Sequence, residues 1–427
     1  MADKYLRENI KHCTHCINKY THFRIGASEN HLSEEQLQAA NGLLNSSGNI
    51  SMLIGGPGTG KSFVIETIVS EISRQRPDDK IALITPTGKA TRHLRKLLHG
   101  KTFNGVVKTI KKFLGFNMSG EVNPYVHTIT KNYSVIIIDE CSMLDYDLLQ
   151  TLLDSVDHAT TKIIFVGDKD QLEAIGRGSL IEDFIDMGIP TFELTTNYRS
   201  NRTIQKNAEA INNGITNLEE NNSFQIFEAP YETIMDRLGY YNKDSIVLSP
   251  YRKEPCKGNA TEINRRIQEN RFGAESPLNN RFFCGDEVIL LKNNYKQSYF
   301  NGDTGIVKDF RESDNIYVVE LDNGNTVYVE DKENDEDKEL DLAYALTVHK
   351  SQGSEYKEVD IVITKYSDFI TRKMLYTAVT RAKEKVRIWV TDKSILSKII
   401  ENEPKRRRSF LLDEPMPELE DDYDIAL

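Results

Sequence analysis

One run of eight residues, Gly55-Gly-Pro-Gly-Thr-Gly-Lys61-Ser62, narrows the folds open to this chain more than any other stretch. It follows a short apolar run, Ser51–Ile54, and precedes helical spacing from about Lys61 to Arg74. A strand that turns through glycines into a helix start gathers backbone N–H groups and a helix dipole around one point, which is a phosphate cradle. The run fits G-x-x-x-x-G-K-[ST] without a gap. Gly55, Gly56, Pro57, Gly58, Thr59 and Gly60 then form the loop, Lys61 reaches the β- and γ-phosphates, and Ser62 ligates Mg²⁺. ATP with Mg²⁺ is the expected ligand.

Such a loop needs a metal-holding acid at the end of a nearby strand. Val135-Ile-Ile-Ile-Asp139-Glu140 supplies one: four apolar residues to bury, then two carboxylates where open α/β sheets bind ligands. Asp139 is expected to hold Mg²⁺ through water, and Glu140 to orient and deprotonate the attacking water. The bland alternative is a pair of solvated acids after a strand.

Around these motifs the pattern alternates. Helices are expected over Leu32–Leu44, Lys89–Leu98 and Tyr146–Val156, with strands at Ile81–Thr85 and Ile163–Val166. A second series follows: strand Ser245–Leu248, helix Thr261–Gln268, strand Asp360–Ile363, helix Thr371–Ala382 and strand Val386–Val390. Buried β runs alternating with helices imply parallel sheets covered on both faces. Between residues 282 and 338 the texture changes to alternating strands broken by Asn-Gly and Gly-Asp pairs, the mark of an inserted antiparallel unit.

A length of 427 residues suits two or three domains, and 39% hydrophobic with 28% charged residues suits a folded protein. No apolar run is long enough to span a bilayer, so no membrane partner is expected. Met1-Ala-Asp-Lys4 opens a polar stretch, so no secretory signal is expected. Five scattered cysteines suit reduced thiols in a cytoplasm, such as that of a bacterium or a phage-infected host. The net charge of −11 argues against nucleic acid only if charge is evenly spread. It is not: residues 413–427 hold seven acids and no base, and Glu330–Asp341 holds eight acids against two lysines. A protein that grips nucleic acid in a channel depends on local field rather than the sum.

Downstream motifs go beyond a generic P-loop NTPase. Gln171, in Val166-Gly-Asp-Lys-Asp-Gln171-Leu, is placed to sense a γ-phosphate. Leu194-Thr-Thr-Asn-Tyr198-Arg199 and Leu375-Tyr-Thr377-Ala-Val-Thr380-Arg381 each offer an arginine, and Arg199 and Arg381 are the candidate fingers. Ala345-Leu-Thr347-Val-His349-Lys350-Ser-Gln352-Gly353-Ser-Glu355 lies between them.

This ordered set resembles superfamily 1 helicases, in their RecD-like, phage Dda-like branch, over roughly residues 32–392. The resemblance implies an α/β fold of two RecA-like P-loop lobes with parallel sheets, a small inserted SH3-like β-barrel and a short wedge insertion. By that resemblance Gln36 reads the adenine, and Thr85, Pro86, Thr87 and Lys89 contact single-stranded DNA. Thr347, His349 and Lys350 do so from the second lobe. Gly353 and Glu355 serve the nucleotide, with Glu355 at the ribose. ATP sits between the lobes with Arg199 and Arg381 reaching across. Thr109-Ile-Lys-Lys-Phe-Leu-Gly looks like the helix leading into the wedge, where Phe113, Phe116 and Tyr125 either stack on bases or pack a small hairpin; Phe116 is the named DNA contact. One departure is Glu173 after Leu172, where relatives often carry proline.

The implied function is an ATP-driven motor moving 5′→3′ on single-stranded DNA and opening duplex junctions in replication, recombination or repair, as a monomer. Two alternatives stay open: an RNA-directed motor, and an ATP-gated single-strand clamp. The expected domains are a polar extension (1–30), lobe one (31–190, wedge about 101–132), lobe two (191–281 and 339–400), the β insertion (282–338) and an acidic tail (401–427). His12-Cys13-Thr-His15-Cys16 has the pieces of a zinc site, against the simpler expectation of a mobile polar tail. The acidic end is expected either to be solvated or to dock a single-strand-binding or replication protein.

Overall fold

Short runs of Ile, Val, Leu and Phe build two parallel sheets, each in its own compact unit, at residues 2–198 and 201–403. The structure, a computed structural model, describes residues 2–26, 31–117, 122, 130–198, 201–240, 242–273, 277–279, 281–294, 296–332 and 338–403. Among these no helix is long and apolar enough to cross a membrane.

In the first unit, β1 (Ile50–Gly55), β2 (Ile81–Thr85), β3 (Gly105–Thr109), β4 (Val135–Ile138), β5 (Lys162–Gly167) and β6 (Thr191–Leu194) pair in the order β3-β2-β4-β5-β1-β6, all parallel. The chain crosses from β1 over β5 and β4 to reach β2, so the loop after β1 opens at a switch in strand order, where such sheets bind ligands. Because side chains alternate across a strand, the sheet has two apolar faces. Met52, Ile136 and Phe165 join one core with α1 (Ala2–His15), α6 (Tyr146–Ser155) and α7 (Leu180–Asp186). Leu53, Ile137 and Val166 join another with α2 (Glu34–Asn45), α3 (Lys61–Gln75) and α4 (Gly88–Leu97).

The extension is not a loose tail over its described part. Leu6, Ile10 and Cys13 lie on one stripe of α1 and are buried against the first face; Tyr20, Phe23 and Ile25 are buried against the second. The first 26 residues thus wrap both faces of the sheet, and burying each Leu or Ile contributes about 1.5–3 kcal/mol. The zinc reading loses its geometry with the tail. Cys13 points into the core, where burial pushes its thiol up to about 12, and Cys16 Sγ lies 3.8 Å from His12 Nε2. Among the described residues no group of three His, Cys, Asp or Glu is placed to hold a metal.

Two boundaries move. Thr191–Leu194 pairs with β1, so the first unit runs past residue 190. Of the wedge range, Gly105–Thr109 is the edge strand β3, and α5 (Ile110–Phe113) buries Ile110 and Phe113 in the core of the unit. Phe116 is half-buried against the same core. Tyr125, and most of 118–129, lie outside the described residues, as does the acidic end after residue 403.

Lys162 is fully buried in β5; its ammonium donates to Ser46 Oγ (2.9 Å) and Gly48 O (3.2 Å), and burial pulls it down to about 7. Between that value and its ordinary 10.5 the unfolded chain carries the proton and the folded chain does not, so this group makes stability rise with pH across the window. The melting temperature of the wild type relative to Lys162→Met is expected to climb from pH 7 to pH 10, for a swing of a few kcal/mol, roughly, at full titration. A difference that stays flat with pH would rule this out.

In the second unit α8 (Arg202–Asn212) leads to β7 (Phe224–Glu228), α9 (Tyr231–Leu238), β8 (Ser245–Ser249) and α10 (Ala260–Phe272). An antiparallel insertion follows: β9 (Glu287–Leu290), β10 (Thr304–Arg311), β11 (Ile316–Leu321), β12 (Thr326–Glu330) and β13 (Leu340–Leu342), in the order β12-β11-β10-β9-β13. It has its own core around Tyr299, Val307, Tyr317 and Val319. The antiparallel unit is there and extends to Leu342. Its described pairings run from β12 to β13, the last strand returning beside the first, β9. The chain then returns through β14 (Ala345–Thr347), β15 (Tyr356–Ile363), α11 (Arg372–Val379), β16 (Ala382–Val390) and α12 (Lys393–Glu401). These complete the parallel sheet β14-β8-β15-β16-β7.

Candidate nucleotide and nucleic-acid sites

The carboxyl edge of the first sheet gathers the loops expected to handle nucleotide. After β1 the chain turns with Gly58 at φ 81° and Gly60 at φ 87°, conformations that glycine adopts without a Cβ penalty. Lys61 opens α3, and its ammonium donates to Gly55 O (2.7 Å) and Gly56 O (3.0 Å) across the loop. Thr59 Oγ1 donates to Gly56 O, closing the turn. Ser62 follows on the first turn of α3, half-buried.

Gln36 borders the same loop. Ser33 and Gln36 cap α2 reciprocally, and Gln36 Nε2 donates to Thr59 O at 3.1 Å. A Cβ on Gly60 would sit 2.3 Å from that nitrogen, so Gly60 must be glycine for this approach as well as for its φ. The carboxamide retains one donor and one acceptor, the complement of an adenine edge.

Asp139 and Glu140 follow β4. Burial, then the neighbouring Glu140, raise the Asp139 carboxyl to about 7 against the pull of Lys61. A buried carboxylate short of positive charge, beside the phosphate loop, suits a divalent cation; with Ser62 it is the pair that would hold Mg²⁺. Glu140 sits at φ 57°, a left-handed conformation uncommon outside glycine, and its amide donates to Asp139 Oδ1 at 3.0 Å. After β5, Gln171 Nε2 donates to the buried Asp168 Oδ2 at 2.9 Å, which fixes the sensor's direction. After β6, Asn197 Nδ2 donates to Pro57 O (2.7 Å) and Tyr198 N to Gly58 O (2.9 Å), laying that segment along the phosphate loop. Arg199, the next residue, lies outside the described residues.

The expected DNA contacts of this unit divide. Thr85 is fully buried, with its hydroxyl bonded to Thr87 O (2.9 Å) and Thr91 Oγ1 (2.6 Å), so it shapes the loop and presents nothing to a strand. Thr87 caps α4 through Ala90 N. Pro86 and Lys89 are half-buried beside it at the sheet's carboxyl edge. Phe116 packs against the unit's core, which favours the packing alternative for it as for Phe113.

In the second unit one motif serves two edges of its sheet. Thr347 ends β14 at the carboxyl edge, buried, its hydroxyl accepting from Lys350 N. His349 and Lys350 follow there. The His349 ring faces Phe369 (6.3 Å, 27°), which faces Tyr251 (5.9 Å, 27°). Burial and the nearby Arg252, Lys338 and Lys253 depress Lys350 from its ordinary value, with Asp341 opposing. Like charges collected beside a row of rings suit a phosphate-and-base strand. Tyr251 and Phe369 were not singled out as contacts from the sequence. Gly353 and Glu355 lie instead at the amino edge, just before β15, where Glu355 pairs with Lys383 at 3.1 Å. Arg381 precedes β16 at that same edge, buried, with its guanidinium donating to Thr377 O (3.1 Å) and Ser354 O (3.2 Å).

Comparison with known proteins bears on both units. Residues 31–227 match the AAA domain model and residues 342–389 the UvrD-like helicase C-terminal domain. The RecBCD enzyme subunit RecD of Mycolicibacterium smegmatis is 28% identical over 405 residues, covering 83% of this chain and 70% of that one. The chain is similar over most of its length to the RecD-like branch of superfamily 1 helicases. It is an ATP-hydrolysing DNA helicase. The ATP-dependent RecD2 DNA helicase of Deinococcus radiodurans is 28% identical over 366 residues, covering 83% of this chain and 48% of that one. In fold, this RecD-like chain is similar to a Bacteroides Pif1 helicase in complex with ADP-AlF3 and ssDNA (TM-score 0.54, 19% identity, 84% and 92% covered). It is likewise similar to the Pif1 helicase of Candida albicans (TM-score 0.55, 19% identity, 87% and 97% covered).

Proposed function

We propose that this RecD-like helicase travels 5′→3′ on single-stranded DNA and displaces the complementary strand at duplex junctions, as a monomer. The observation that carries the reading is the meeting of Lys61, Asp139, Glu140, Gln171 and Gln36 at one edge of one parallel sheet. The loop and Lys61 bind the phosphates; Ser62 and Asp139 would hold Mg²⁺, which supplies charge neutralisation at the γ-phosphoryl when bound. Glu140 takes the proton of the attacking water, and Gln171, aimed by Asp168, reads whether the γ-phosphate is present. Arg199 and Arg381 are the candidate arginine fingers.

DNA as the track is supported by the Tyr251–Phe369–His349 row with its cationic surroundings, and by the DNA named for the RecD2 and Pif1 relatives. Recombination or repair is the process favoured by the RecD relatives. A cytoplasmic setting suits five cysteines that are all free thiols. The test is strand displacement from 5′-tailed, 3′-tailed and blunt duplexes with ATP. Release from the 5′-tailed substrate is expected. Release from the 3′-tailed one alone would reverse the polarity, equal stimulation by RNA would make the track RNA, and turnover without release would leave the clamp.

A further inference from the structure

The carboxylate of Glu35 accepts three hydrogen bonds from one short segment: Thr195 N at 2.6 Å, Thr195 Oγ1 at 2.7 Å and Thr196 N at 3.2 Å. Burial alone would raise this carboxyl; the bonds from Thr195 and Thr196 bring it below its usual value. The segment then runs along the phosphate loop through Asn197 to Pro57 O and Tyr198 to Gly58 O, and the next residue is Arg199. Glu35 stands beside Gln36 on the first turn of α2, and Gln36 holds the same loop at Thr59 O. Two consecutive side chains of one helix start therefore hold the phosphate loop on one hand and the segment bordering it on the other.

We propose that Glu35 is a positioning residue for hydrolysis: it ties the segment 195–198, which lies along the phosphate loop at Pro57 and Gly58, to the helix that reads the base. A nucleotide whose base engages Gln36 steadies α2, and through Glu35 steadies the segment that borders the loop. Base recognition and the setting of the phosphate loop become one event. This rests on the reading of the first unit as the ATP site. A carboxylate bonded to backbone amides suits the task, because charge-assisted bonds are about twice as strong as neutral ones. Three acceptor contacts to two adjacent residues also fix orientation as well as distance.

The test uses the full chain with Glu35→Gln, which keeps volume and loses charge, and Glu35→Ala. Amide exchange over residues 195–198, without nucleotide, is expected to speed up about 10–100-fold in Glu35→Ala, the equivalent of the lost charged bonds, and less in Glu35→Gln. With single-stranded DNA and saturating ATP, kcat is expected to fall on the order of 10- to 100-fold while KM for ATP moves much less, as for a misplaced catalytic group. Thr195→Val, which removes the hydroxyl bond and keeps both amides, should give an intermediate loss. Unchanged exchange over 195–198 would remove the tether. Faster exchange with kcat within about twofold of wild type would make Glu35 a local staple and overturn the proposal. A wild type that neither turns over ATP nor protects residues 55–62 on adding ATP would instead sink the ATP-site reading and the kinetic claim with it. The exchange result would still show whether the tether exists.

Discussion

Lys61→Ala is expected to abolish ATP turnover, by a factor on the order of a thousand or more, with and without single-stranded DNA. Lys61 is the ammonium at the start of α3, already aimed inward over the loop at Gly55 O and Gly56 O. No other lysine in the loop can take its place, and Asp139, buried beside it, would lose the cation that offsets part of the rise in its carboxyl. The loop itself would then meet phosphate charge with backbone dipoles alone. A coupled assay of phosphate release checks this, and turnover near the wild-type rate would defeat the assignment of the loop. The chain should still fold, since truncating Lys61 leaves the buried residues of α3, among them Val64, Ile65 and Ile68, in place.

Glu140→Gln is expected to separate binding from chemistry. The variant keeps the size and hydrogen-bonding reach of the side chain and loses only its capacity to take a proton, so ATP binding should persist while hydrolysis falls about 10²–10⁴-fold. The backbone argues for a special role. Glu140 holds a left-handed φ of 57°, which costs energy in a residue with a Cβ and recurs where a side chain must be aimed. The hydrogen bond its backbone N–H donates to Asp139 Oδ1 keeps the two acids in a fixed relation. Stable retention of labelled ATP by the variant, with slow phosphate release, is the expected readout. Hydrolysis within about tenfold of wild type would place the base elsewhere.

The parts of this site that could be read from the sequence are those where chemistry is local. A strand, a glycine turn and a helix start are contiguous, so Gly55–Ser62 and Val135–Glu140 state their own geometry. Gln36 enters through the family resemblance, and its capping bonds belong to the folded helix start. What stayed hidden depends on contacts between distant residues. The hydroxyl of Thr85 looks available in a motif and is consumed by Thr87 and Thr91 once the turn folds. Tyr251 and Phe369 are separated by more than a hundred positions and meet only because β8 and β15 are neighbours. The extension was misjudged for a different reason. Leu6, Ile10 and Cys13 do recur at helical spacing, but the polar residues between them dominate the composition. Four residues of β6, Thr-Phe-Glu-Leu, are too few to show a period, and pairing with β1 alone reveals them.

The stretch between Thr347 and Tyr356 has a mechanical consequence. It leaves one margin of its sheet and returns at the opposite one, and by the pairing of β14, β8 and β15 those margins lie about six strand residues apart, roughly 20 Å. Part of its length is wound into the turn at His349–Ser351, so there is little slack to absorb a pull. A linkage that taut acts as a tie rod: a pull applied near Lys350 arrives at Ser354, and so at the carbonyl that steadies the Arg381 guanidinium.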